Sequence, residues 1–199
     1  MLQKPTLVVI CGWPFSGKTT LATAVREKLG VHHMDIDEVR TLMVGLAHPH
    51  PNESPELTKR DVQEMAMSYR LLLAGAHENL FVGRSLIITA TFSRKMGQQM
   101  LLDLMAKHQN AQLKVIQCIP QGDTSEEVAR RIANRNFGHG KHMGAVNSVE
   151  RYNEVKNRYD PIELLHLKMP TWGSGNTVED ELKIALDYIV TTQQQKAAG

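Results

Sequence analysis

Apolar residues fall along this chain in short runs that alternate with helical periodicity. The stretch "TLVVICG" (6–12) is apolar on both faces, as a strand inside a parallel sheet is. Leu21, Val25 and Leu29 then recur every four residues, with Gly30 as a stop signal. A weaker strand, "VHHMD" (31–35), precedes a short helical pattern at 37–46. Residues 47–57 carry three prolines and read as an exposed loop. From Thr58, the positions Val62, Met65, Tyr69, Leu72, Leu73, Ala76 and Leu80 predict one long helix. Strands are predicted again at 85–91, 112–119 and 164–169. Helices are predicted around Met96–Leu104, over Ser125–Asn136 and 148–160, and through Leu182, Ala185, Leu186 and Ile189. The polar, glycine-rich stretch 137–147 predicts mobility, and the tail 191–199 predicts fraying.

This alternation predicts an α/β three-layer sandwich: a five-stranded parallel sheet covered by helices on both faces. All 199 residues read as one domain, since 42% hydrophobic content suffices for one core and is small for two. Ligands of such sheets bind beyond the carboxyl ends of the strands. That rule directs attention to the segment just after each apolar run.

The first apolar run leads into "GWPFSGKT". Gly12, Gly17, Lys18 and Thr19 fill the pattern G-x-x-x-x-G-K-[ST] between a strand and a helix. Inward-turned amides of such a loop cradle an anion, and the helix N-terminus adds its positive dipole end. The expected nucleotide contacts are Gly12, Trp13, Pro14, Phe15, Ser16, Gly17, Lys18, Thr19 and Thr20. Lys18 supplies a catalytic point charge on the β- and γ-phosphates, and the Thr19 hydroxyl a ligand for Mg2+. Phe15 is unusual where small residues often stand; it either restricts the loop or covers the site. Trp13 either flanks the ligand or packs at the surface.

After the second strand, "MDIDEVR" places Asp35 and Asp37. Asp35 is expected to hold Mg2+, and Asp37 to accept the proton of an attacking hydroxyl. Arg40 shares the helical face of Asp37 and would grip a substrate. The competing reading makes either aspartate a helix cap. Arg131 and Arg135 lie one turn apart after strand four, before a segment (136–158) expected to act as a lid that neutralises charge on a transferring phosphoryl. The competing reading is a solvated basic helix.

Charge and composition narrow the partners. A net charge of +2 and 5% aromatic residues disfavour a broad nucleic-acid surface. Cys11 and Cys118 are the two cysteines, both in apolar runs, and read as buried free thiols of a reducing compartment. No apolar run approaches the ~18 residues of a membrane span, and the first residues lack a signal-peptide pattern. A soluble, cytoplasmic protein is expected, as a monomer or a homodimer. Among nine histidines, the pairs His48/His50 and His139/His142 lack companions for a zinc site.

The stretches "GWPFSGKTTLA", "DIDEVR", "LLLAGAHENLFVGRSLIITATFSRKMGQQ" and "EEVARRIANRN" stand in an order that resembles the small P-loop kinases of the zeta-toxin, polynucleotide 5′-kinase and chloramphenicol phosphotransferase type, many assigned only as AAA-family ATPases. The resemblance spans about residues 5–190. It implies a nucleoside-kinase-like fold with a lid, and transfer of the γ-phosphoryl of ATP to a hydroxyl of a small-molecule or nucleotide-like acceptor. It implies Lys18 and Thr19 for phosphates and Mg2+, Asp37 as base, Arg40 as substrate contact, and Arg131 and Arg135 as lid-side arginines. One departure stands out: Thr89 of "TAT" occupies a place where many relatives carry aspartate, so Asp35 must compensate or activity changes. Two rival functions stand beside this one, a nucleotide-binding regulatory module without transfer and a kinase for an RNA or DNA end. No N-K-x-D guanine signature occurs.

Overall fold

The computed structural model of the protein describes residues 2–44, 55–138, 146 and 148–191, with the backbone alone at 44, 55–61 and 135–138. Five strands form one sheet: β1 (Thr6–Cys11), β2 (His32–Asp35), β3 (Leu86–Thr89), β4 (Gln112–Ile119) and β5 (His166–Pro170). Their order is β2-β3-β1-β4-β5, and each adjacent pair runs parallel. Both faces of β1 are buried, so alternate side chains feed two cores. Leu7 and Val9 join Ile88, Leu72 and Leu101 on one side, while Val8 and Ile10 join Ile87, Leu21 and Ala185 on the other.

The helices complete the layers. α1 (Lys18–Leu29) and α7 (Val178–Val190) cover one face; α3 (Pro55–Phe81) and α4 (Lys95–Ala106) cover the other. α2 (Ile36–Val44) packs on α3, and α5 (Ser125–Gly138) on α6 (Val149–Asn157). Gly30 ends α1 in a left-handed conformation with its N–H on Arg26 O, the cap expected of that glycine. α7 starts with a capping box between Thr177 and Asp180.

The three-layer α/β prediction holds, with shifted boundaries. α3 begins at Pro55, inside the predicted loop, because proline at a first helical position sacrifices no helical N–H bond. β3 stops at Thr89 instead of reaching 91, because Phe92 turns into the left-handed region (φ 47°) and donates its N–H to the Tyr69 hydroxyl at 2.9 Å. Of the stretch predicted mobile, 139–145 and 147 lie outside the described residues, as do His48, His50, His139, His142 and the tail from 192; Val146 is buried with Val128, Ile132 and Tyr152. Cys11 and Cys118 are buried free thiols. Among the described residues, no helix is long and apolar enough to cross a membrane.

Candidate active site

The strand order puts β1 at the centre, so the loop after it sits between the ends of β3 and β4. Gly12 opens that loop at φ 142°, and a Cβ there would stand 2.6 Å from the Cys118 carbonyl oxygen and from Ser16 Oγ. Only glycine fits. Gly17 closes the loop at φ 85°, directly before α1. Between them Phe15 adopts φ 59°, a strained conformation for a bulky side chain.

Neighbours hold that strain. The Phe15 ring packs on Tyr152 with centroids 6.3 Å apart, and its carbonyl oxygen accepts the Trp172 Nε1–H at 2.5 Å. Trp13 meets Tyr159 edge to face at 5.7 Å, with the Lys156 ammonium 5.5 Å from its ring. Phe15 is thus held within the loop and also lines the cleft, and Trp13 packs on Tyr159 outside the cleft wall. The Lys18 ammonium donates to the Trp13 carbonyl at 2.9 Å. Its burial lowers its pKa, and nearby groups that include Asp37 and Asp35 act in the opposite direction.

A cleft of about 1230 Å³ opens above the loop. It gathers Lys18, Thr19, Asp35, Asp37, Arg40 and Arg131 from four separate elements. Pro14, Phe15, Ser16, Gly17 and Thr20 line it as well, whereas Gly12 lies behind the wall and serves the turn.

Asp35 has two engagements. Its Oδ1 accepts the Asp37 N–H at 2.8 Å, so it does cap α2, and its Oδ2 accepts the Thr89 hydroxyl at 2.5 Å. Strand register makes this possible, since Asp35 and Thr89 are partners across β2 and β3. Thr89 has one hydroxyl proton, and the Asp35 carboxylate takes it. His33 Nε2, 2.8 Å from the same oxygen, must therefore be the donor. Burial lowers the His33 pKa. The structure thus brings a carboxylate to the place of Thr89, which sequence alone left open.

Arg40 does not stand alone toward the cleft: its Nη2 donates to Glu64 Oε2 of α3 at 3.3 Å, in a largely buried pair. Arg131 donates from Nε to Glu127 Oε1 at 2.7 Å, and its guanidinium carbon lies 3.8 Å from the Trp172 ring centroid. Glu127 also holds Arg130 through two 2.7 Å bonds. These bonds, Arg130 foremost, pull the Glu127 pKa down to about 2. The Arg135 side chain lies outside the described residues.

Two supports of the cleft went unread in the sequence. Thr91, Ser93 and Arg94 come after β3, and Tyr69 of α3 stands against them. Trp172 comes after β5 and ties Arg131 to the phosphate loop. The rule that sites lie beyond strand ends points to both segments.

The fold and this cleft define a protein with the architecture of a P-loop kinase. The AAA domain family matches residues 7–161, and the chain belongs to that family. Among solved structures it is similar to a protein from Chloroflexus aurantiacus J-10-fl whose kinase assignment is provisional, with TM-score 0.70 and 22% identity over 94% of this chain and 99% of that one. It is similar to a sugar kinase from Janibacter sp. HTCC2649, with TM-score 0.62 and 16% identity over 96% and 99%. It is similar to the APS kinase of Mycobacterium tuberculosis in complex with AMPPNP and APS, with TM-score 0.58 and 15% identity over 94% and 99%. At these identities the likeness is one of fold. No curated protein matches the chain in sequence.

Proposed function

We propose that this protein is an ATP-dependent kinase that transfers the γ-phosphoryl group to a hydroxyl of a small-molecule acceptor. The observation that carries the reading is one cleft holding a glycine-framed phosphate loop, its lysine, and two carboxylates at the junction of β2 and α2. The loop amides and Lys18 bind the triphosphate. Asp37, exposed in the first turn of α2, orients the acceptor hydroxyl and takes its proton. The hydroxyl oxygen bonds to the γ-phosphorus, the bond to the β,γ-bridging oxygen breaks, and ADP leaves. Arg131 and Arg135 on α5, with the segment after them, close over the nucleotide as a lid.

The residues fit Mg2+. The Thr19 hydroxyl and Asp35 carboxylate are hard oxygen donors that both line the cleft, and a phosphate-bound Mg2+ needs only one or two protein ligands. Thr19 and Asp35 would hold the ion, whose chemistry there would be to offset negative charge on the phosphate oxygens. A module without transfer is the weaker reading, because the Asp35 carboxylate stands 2.5 Å from Thr89.

The test is Asp37→Asn assayed with Mg2+, ATP and an acceptor panel. Transfer is expected to fall by a factor of about 100 or more with ATP binding retained. Full transfer by the variant defeats the assignment.

A further inference from the structure

The strand order divides the cleft. β4 and β5 lie on one side of the phosphate loop, where the helix after β4 supplies Arg131; β3 and β2 lie on the other and supply Arg94 and the two aspartates. The second half is the place for the acceptor, an assignment that rests on the protein being a kinase.

The cations of the cleft are not equivalent. Arg130 and Arg131 share Glu127, and Arg40 pairs with Glu64. Arg151 and Arg158 share Glu154, Arg158 only at 3.7 Å. Arg94 is exposed, lines the cleft, and has no ion-pair partner among the described residues. Its neighbours on both sides are anchored to the segment that follows Arg158. The Asp160 N–H donates to Ser93 O at 2.9 Å, and Asp160 Oδ2 accepts the Lys95 N–H at 3.0 Å. The residues on both sides of Arg94 are thus tied to a residue two positions beyond Arg158. Asp160 spends its carboxylate on the Lys95 amide, and Lys95 pairs with Glu163 at 2.7 Å.

The same cleft is also lined by an apolar stripe. Val62, Met65, Ala66 and Tyr69 lie at helical spacing on α3, and Met96 stands on α4. Val62 and Met96 are 62% and 53% exposed within the cleft lining, a cost no polar acceptor offsets.

We infer that the acceptor is a hydroxylated organic anion with an apolar body: Arg94 and Arg158 hold its anionic group, the α3–α4 stripe its body, and Asp37 its hydroxyl. A doubly held anion also orients the hydroxyl, which a neutral alcohol does not achieve.

The test uses the full chain with 3-phenyllactate and 4-(hydroxymethyl)benzoate, each compared with its primary amide. Binding is measured by calorimetry without nucleotide, and ADP release with Mg2+ and ATP. Acids are expected to bind about tenfold or more tightly than amides, the ratio that charge-assisted bonds support. Arg94→Gln should erase the preference while ATP affinity stays unchanged, and Arg158→Gln, as a second variant, should erase it too; Arg94 makes no side-chain cap to α4, so its loss does not threaten the fold. Equal binding of acids and amides, no acid binding at all, or a preference that survives both substitutions overturns the inference. Acid binding without ADP release strikes instead at the kinase reading.

Discussion

Thr89→Val removes one oxygen from the centre of the site and changes little else. Thr89 is fully buried at the end of β3, and valine keeps its shape. The substitution deletes the bond to Asp35 Oδ2 at 2.5 Å and the contact with His33 Nε2 at 2.8 Å. A hydrogen bond to a charged group contributes roughly 1.5–3 kcal/mol and a neutral one about 1. Asp35 and His33 are only half-buried, so water recovers part of this and a net loss of about 2 kcal/mol is expected. For a chain of this size that lowers Tm by roughly 4–8 °C. Thr89→Ser keeps the hydroxyl and loses a methyl group, a cost of about 1 kcal/mol. The assay is thermal unfolding of both variants, alone and in an Asp35→Asn background, where the effect of Thr89→Val should shrink because its acceptor has lost its charge. Thr89→Val melting with the wild type, or Thr89→Ser as damaging as Thr89→Val, refutes the network.

Two further outcomes concern the loop and its arginines. Glu127, held near pKa 2 against an ordinary 4.5, is depressed by Arg130 and Arg131. Its contribution to stability is therefore complete above pH 4.5 and lost as pH falls toward 2. Urea titrations should show Glu127→Gln with a flatter pH dependence than the wild type in that window, and equal slopes would contradict the pairing. At Phe15, alanine loses the Tyr152 contact and keeps the left-handed strain, whereas glycine loses the contact and relieves the strain. Phe15→Gly should then be the more stable of the two by about 0.5–1 kcal/mol in chemical denaturation, the reverse of the usual order. Phe15→Ala equal to or above Phe15→Gly would show that the φ of 59° costs nothing.

The sheet and the phosphate loop were legible in the sequence because their signals are local. A central parallel strand must be apolar on both faces, and "TLVVIC" is. The loop needs glycine at two strained positions with a lysine after the second, all within eight residues. Boundaries drifted where local pattern met a distant partner: β3 reads as continuing through Thr91, yet Tyr69, 23 residues earlier, captures the Phe92 amide and turns the chain. The supports of the site were illegible for the same reason. Trp172 reaches Phe15 across 157 residues, and Thr89 reaches Asp35 across 54. Periodicity carries no information about such pairs. The partner of Arg40, Glu64 on α3, was equally illegible, since it lies one helix away.

Phe15 and Phe92, the two non-glycine residues with left-handed φ among the described residues, show how this site is built. Both come just after adjacent strands of the sheet, β1 and β3, and both stand beside the cleft. Each costs of order 1–3 kcal/mol in isolation. Each is held from outside its own segment: Phe15 by Tyr152 and Trp172, Phe92 by the Tyr69 hydroxyl and ring. Gly97 leaves the space, since a Cβ there would lie 3.3 Å from the Phe92 ring. Local preference would let either turn relax. The surrounding aromatics prevent it, so the phosphate loop and the Thr91–Arg94 segment keep their cleft-facing shape before any ligand arrives. Preorganisation of this kind spares a bound substrate the cost of ordering the loops that hold it. A site whose loops were ordered only by the ligand would have no need of bulky residues in a backbone conformation that favours glycine.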